Sequence, residues 1–137
     1  VRWAYACAAA LTVPTVLIPL AAAVRVWGPS VAFSPLLRAE RAVLLVAICL
    51  AGSWLHEALH ALGWCFAAGI SDDAVRIGWS AGALAPCAVL DRPVPARAYR
   101  FGVALPGLLL GATPLLLGLA RGSPWMLWCG FLLSVAA

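Results

Sequence analysis

Lysine is missing from this chain of 137 residues, and aspartate and glutamate together number five. Charged residues make up 10% of the sequence and hydrophobic ones 65%, whereas soluble domains carry about 25% charged and about 45–50% apolar residues. Too few polar side chains remain to build a water-facing surface, which excludes an ordinary soluble globular domain. The net charge of +4 comes entirely from arginine. The arginines stand between apolar runs rather than along a stripe, which argues against a nucleic-acid partner and makes them interfacial anchors and topology signals.

Cysteine is equally uninformative as a scaffold. Cys7, Cys49, Cys65, Cys87 and Cys129 are odd in number, no Cys-x-x-Cys pair occurs, and four of the five lie in apolar runs. That pattern argues against a disulfide framework and against a thiolate zinc site. Cys87 lies in a loop, but nothing at ligand spacing accompanies it.

What is present is a series of apolar runs. Residues 3–26, 42–68, 101–120 and 125–137 read as membrane helices, the last incomplete, and residues 69–100 as a polar loop. A hydrocarbon core of about 30 Å needs about 20 residues at 1.5 Å each. The fold class expected is therefore all-α, a polytopic transmembrane bundle of about four helices forming one integral membrane domain. Its expected location is multi-pass, in a bacterial cytoplasmic membrane, with lipid as a partner. In the first run Pro14 and Pro19 predict kinks, and Trp3 and Trp27 stand at its ends like interface anchors. A signal peptide is the rival reading there, with Arg2 as its basic start and Ala21-Ala22-Ala23 as a cleavage site. Its apolar part would exceed the usual 7 to 15 residues or so. Pro106-Gly107 and Pro114 predict interruptions of the third span.

The polar loop contains Asp72, Asp73, Arg76, Asp91, Arg92, Arg97 and Arg100, and Pro86, Pro93 and Pro95 prevent a single helix. Val75 to Trp79 and Leu84 to Val89 either pair as a short hairpin about Ser80-Ala81-Gly82-Ala83 or form an irregular loop. Arginine counts lean weakly to a cytoplasmic position for this loop, five on its side against four on the other. The chain opens on Val1 and stops at Ala137 partway through an apolar run, so it reads as a piece of a longer one.

Only two histidines occur, and they stand in His56-Glu57-Ala58-Leu59-His60 within the second run. A shuffled chain of this composition places the two histidines and a glutamate this way in roughly one case in five thousand. Histidines at i and i+4 project from one helix face, so His56 and His60 can ligate one zinc ion with Glu57 beside it. Ionisable groups in a helix of lipid length are costly to keep from water and by default imply a partner or a function. The bland reading is a hydrogen-bonded packing cluster. Laid out at about 100° per residue, Cys49, Gly52, Ser53, His56, His60 and Gly63 share one stripe. Its small residues permit close approach of another helix.

Two histidines leave a catalytic zinc site one protein ligand short. Glu40 precedes His56 by sixteen residues, about 24 Å along the axis and out of reach. Asp72 and Asp73 read as loop or capping residues, and Asp91, in a proline-flanked loop, is a weak candidate. The ligand is expected beyond Ala137. In such a site the metal acidifies water and polarises a carbonyl, and Glu57 is the general base.

This pattern resembles the membrane zincin peptidases of unassigned function, distant relatives of the site-two intramembrane metalloproteases. The resemblance rests on Trp54-Leu55-His56-Glu57-Ala58-Leu59-His60-Ala61-Leu62-Gly63-Trp64. Weaker matches follow at Ile77-Gly78, Ala85-Pro86, Arg97-Ala98-Tyr99-Arg100 and Leu105-Pro106. It implies zinc-dependent hydrolysis of peptide bonds in membrane or membrane-adjacent protein substrates. It also implies a third ligand, an aspartate on a later membrane helix. If the hairpin exists, its free edge would hold the substrate as an added strand. The alternative is a non-catalytic membrane protein with a structural, sensory or degenerate zinc site. Haem held between two histidines is disfavoured, because both lie on one helix a turn apart.

Overall fold

The computed structural model describes residues 14, 17–82 and 85–135. The chain is mostly helical: α1 is Leu17–Trp27 and α2 Pro29–Ala32, followed by α3, Ala39–Ala68. A single 3₁₀ turn, Asp72–Ala74, leads into strands β1, Val75–Ser80, and β2, Ala85–Leu90. Helix α4, Ala96–Pro106, runs through a π-helical turn, Gly107–Ala112, into α5, Thr113–Arg121, and α6 covers Pro124–Val135. Residues 3–13, 15 and 16 of the first expected span lie outside the described residues.

Helix α3 is long because no proline falls between Ala39 and Ala68 and the run is rich in alanine and leucine. It starts three residues earlier than the apolar pattern suggests, with Glu40 in its first turn, where a carboxylate meets the positive end of the helix dipole. It ends at Gly69, whose φ of 63° is left-handed, a conformation glycine adopts without strain. Helix α3 and the continuous helix Ala96–Arg121 are both long and apolar enough to cross a membrane; Leu17–Trp27 and Pro124–Ser134 are shorter apolar helices. Their outward faces are apolar too, with Leu50 66% and Phe66 80% exposed on α3, and Val103, Leu108 and Leu116 exposed on the other. A face of this kind is costly against water and suits lipid.

The interruptions expected at Pro106-Gly107 and Pro114 do not break the third run. The helix widens instead: the Thr113 N–H and hydroxyl both reach the Leu108 carbonyl, the hydroxyl at 2.8 Å. Bonds of this i to i−5 kind absorb an extra residue in one turn, and Pro114 follows directly on that turn, at the start of the α5 segment.

Close packing relies on glycine. A Cβ on Gly118 would lie 2.6 Å from the Leu127 backbone nitrogen, and one on Gly130 would lie 2.6 Å from that of Leu115, so α5 and α6 approach backbone to backbone. Ala23 and Ala32 pack with Leu115 and Leu127, and the Trp128 indole donates to the Ala32 carbonyl at 2.8 Å. The first two helices are thereby docked on α5 and α6. Helix α3 meets α6 where Gly52 faces Leu133.

The loop between the long helices contains a hairpin. Its antiparallel register pairs Val75 with Leu90, Ile77 with Ala88 and Trp79 with Pro86. Ion pairs sit at its base: Arg76 meets Asp91 at 2.5 Å and Arg92 meets Asp73 at 3.6 Å. Its far end lies along α3, where the Trp79 and Trp54 rings stack with centroids 6.4 Å apart.

Replacing Gly118 with leucine is expected to destabilise the fold by about 1–3 kcal/mol, the usual cost of overpacking. Thermal unfolding in detergent, compared with a Gly82→Leu control in the open hairpin turn, measures it.

Candidate metal centre

His56, Glu57 and His60 come from the C-terminal half of α3, with His60 about 12 Å from its end. One helical turn puts the two imidazoles together, ring centroids 4.6 Å apart and nearly perpendicular. One ligand atom from each of the three residues lies within 4.8 Å of the other two.

A carbonyl only accepts, so the His60 Nδ1 that lies 2.9 Å from the Gly102 carbonyl carries the hydrogen and donates it. That fixes the tautomer and leaves the Nε2 lone pair for a metal, the arrangement in which a ligating histidine is oriented by its other nitrogen. Two glycines make the bond possible. A Cβ on Gly63 would lie 2.7 Å from Gly102 Cα, and one on Gly102 would enter the Trp64 indole, 2.5 Å from Nε1. Helices α3 and α4 therefore touch at backbone distance beside His60. Trp64, only 5% exposed, stacks between His60 and Tyr99, with centroids 5.4 and 5.8 Å away. Its indole N–H donates to the Tyr99 carbonyl at 3.2 Å.

His56 is 6% exposed, and its Nδ1 is buried with no hydrogen-bond partner among the described residues. An unsatisfied buried nitrogen costs about 1–3 kcal/mol, and a bound cation or an additional acceptor would relieve it. Two imidazoles are nitrogen donors that suit zinc, and the Glu57 carboxylate stands beside them rather than among the ligands. The group therefore fits a divalent ion, with His56 and His60 as the nitrogen donors.

Glu57 accepts a hydrogen bond at 2.6 Å from the backbone N–H of Ala88 on β2. The hairpin thus reaches the site itself. Other acids are engaged elsewhere: Asp91 accepts from Arg76 Nε at 3.0 Å, Asp73 accepts from the Ser71 hydroxyl, and Glu40 lies 3.9 Å from Arg38. Among the described residues none of them, nor Asp72, joins the donor group.

Trp64 and Tyr99 enter the sequence reading only within the motifs that carry the resemblance, with no role at the site, and Gly102 and the Ala88 amide escape it altogether. Trp64 had a signal, since it follows His60 by four residues and so shares its face. Gly102 shows only as an unexplained glycine within a helix, and a backbone amide shows nothing.

Replacing Gly102 with alanine is expected to push Trp64 aside and loosen the His60 bond, lowering zinc affinity about 10–100-fold, as loss of an orienting partner does. Zinc titration of the purified protein measures this, with helical content from circular dichroism separating it from unfolding. No family model, curated protein or solved structure matches the chain.

Proposed function

We propose that this chain is a zinc-dependent peptidase embedded in a membrane, hydrolysing peptide bonds of membrane or membrane-adjacent proteins. The observation that carries the reading is the convergence of His56, Glu57 and His60 within 4.8 Å, in the C-terminal half of a helix of membrane length. The tautomer imposed by Gly102 and the orphaned Nδ1 of His56 support it. Likeness to the membrane zincin peptidases belongs to the same proposal, as does a multi-pass arrangement in which α1 and α6 belong to further spans.

Zinc, when bound, supplies Lewis-acid chemistry that acidifies water and polarises the scissile carbonyl. The chain's own part is proton traffic and alignment. Glu57 takes a proton from water as the oxygen bonds to the carbonyl carbon, and returns it to the amide nitrogen as the C–N bond breaks. The products are a carboxylic acid and an amine. The β2 edge beside Glu57 suits an extended peptide, which must be unwound before its carbonyl meets the water.

A non-catalytic zinc site is the second reading, favoured by the engagement of Glu57 with a backbone amide. Glu57→Gln separates the two. In the peptidase, hydrolysis of a membrane-protein substrate falls about 10²–10⁴-fold, while zinc content stays near that of the unaltered protein. The His56→Ala, His60→Ala double variant is expected to lose the metal altogether. Hydrolysis that survives Glu57→Gln selects against the peptidase, and an unaltered protein that retains no divalent metal removes both readings.

A further inference from the structure

The hairpin's ladder has an inside and an outside. In an antiparallel pair, alternate residues exchange both backbone bonds with the partner strand, and those between turn theirs outward. The Asp91 N–H donates to the Ala74 carbonyl at 3.0 Å just beyond the last pair. This phase sets Ala85, Cys87 and Val89 facing β1, and Pro86, Ala88 and Leu90 facing outward. Pro86 has no N–H to present, so the first outward amide after the turn is that of Ala88. It is this amide that donates to Glu57 Oε2 at 2.6 Å.

A peptide strand adding to the β2 edge needs the same donor, since strand addition is built from outward-facing N–H and C=O groups. One N–H serves one acceptor well. We infer that Glu57 and a carbonyl of an extended peptide compete for the Ala88 amide, so that docking of the strand on β2 releases the carboxylate for work on water. The inference rests on the peptidase reading and adds its control: the base is held by the docking edge until a substrate takes its place. A helical peptide keeps all but its last four carbonyls on its own amides and presents no strand edge to β2. Glu57 is therefore released only for segments already unwound.

The competition is measurable without catalysis. Labelling cysteine carbonyl carbon and alanine nitrogen isolates the amides of the two Cys-Ala pairs, Cys7-Ala8 and Cys87-Ala88. The Ala88 signal in detergent is identified by its loss in Ala88→Pro. In the unaltered protein it is expected downfield, and Glu57→Gln moves it. A valine-rich decapeptide that stays extended is expected to abolish the difference between the unaltered and Glu57→Gln spectra at saturation. The same length of peptide locked as a helix is expected to leave that difference intact. A difference that persists under saturating extended peptide overturns the inference, as does failure of that peptide to bind at all. Both results are independent of whether any peptide bond is cut, so failure of the peptidase reading registers separately, as absent hydrolysis by the zinc-loaded protein.

Kinetics distinguish competition from static support. Ala88→Pro removes the donor at an outward position of the kind Pro86 already occupies. Competition predicts kcat unchanged or higher, because the carboxylate is already free, with KM little changed, because the bond lost to the peptide is offset by the Glu57 bond that no longer has to be broken. A kcat lowered tenfold with KM unchanged would instead make the amide a fixed support for Glu57, and the inference would be withdrawn.

Discussion

Everything at the centre of this protein depends on two glycines being able to touch. Where Gly63 of α3 faces Gly102 of α4, the helices meet without side chains between them. The Gly102 carbonyl comes within reach of His60 for that reason and no other. Any side chain at the crossing would hold the carbonyl away and leave the imidazole free to turn. Orientation of a metal-ligating group is thus set by a vacancy in side-chain volume, with Trp64 and Tyr99 closing the layer around it.

The second support comes from a segment of different character. The hairpin is held at its base by exposed ion pairs, which contribute little each, and at its far end by stacking of Trp79 on Trp54. Between them the strand edge meets Glu57. The three chemically capable side chains of α3 are thereby divided. His60 is oriented by a helix and Glu57 by a strand, while His56 Nδ1 has no hydrogen-bond partner among the described residues.

Much of this was legible in the sequence, and the limits have physical causes. Two apolar runs of membrane length and the histidine spacing are local patterns with a fixed period, so they survive reading one residue at a time. Gly52 and Gly63 were readable as a stripe because they repeat on one helix face with His56. The hairpin was evenly balanced against an irregular loop, because six-residue strands containing Gly78 and Pro86 carry little strand signal. Their pairing is decided by packing on α3. Gly102 was invisible because its role belongs to a partner forty-two positions away. The prolines of the third run misled for a definite reason: their missing N–H groups predict breaks, but a π-helical turn redistributes the carbonyls and the axis continues.

That turn also works as a phase shifter. Each residue of an α-helix advances the surface by about 100°, and a turn with one residue too many sets the following surface back by about that amount. Gly102 before the turn packs against α3, while Gly111 within it and Gly118 after it pack against α6. One rod thus serves two neighbours with two differently aimed faces. The count of residues in this turn therefore matters in its own right, because removing Gly107, where a Cβ would meet nothing within 4 Å, would rotate the whole α5 seam away from α6 while leaving every apolar side chain in the sequence.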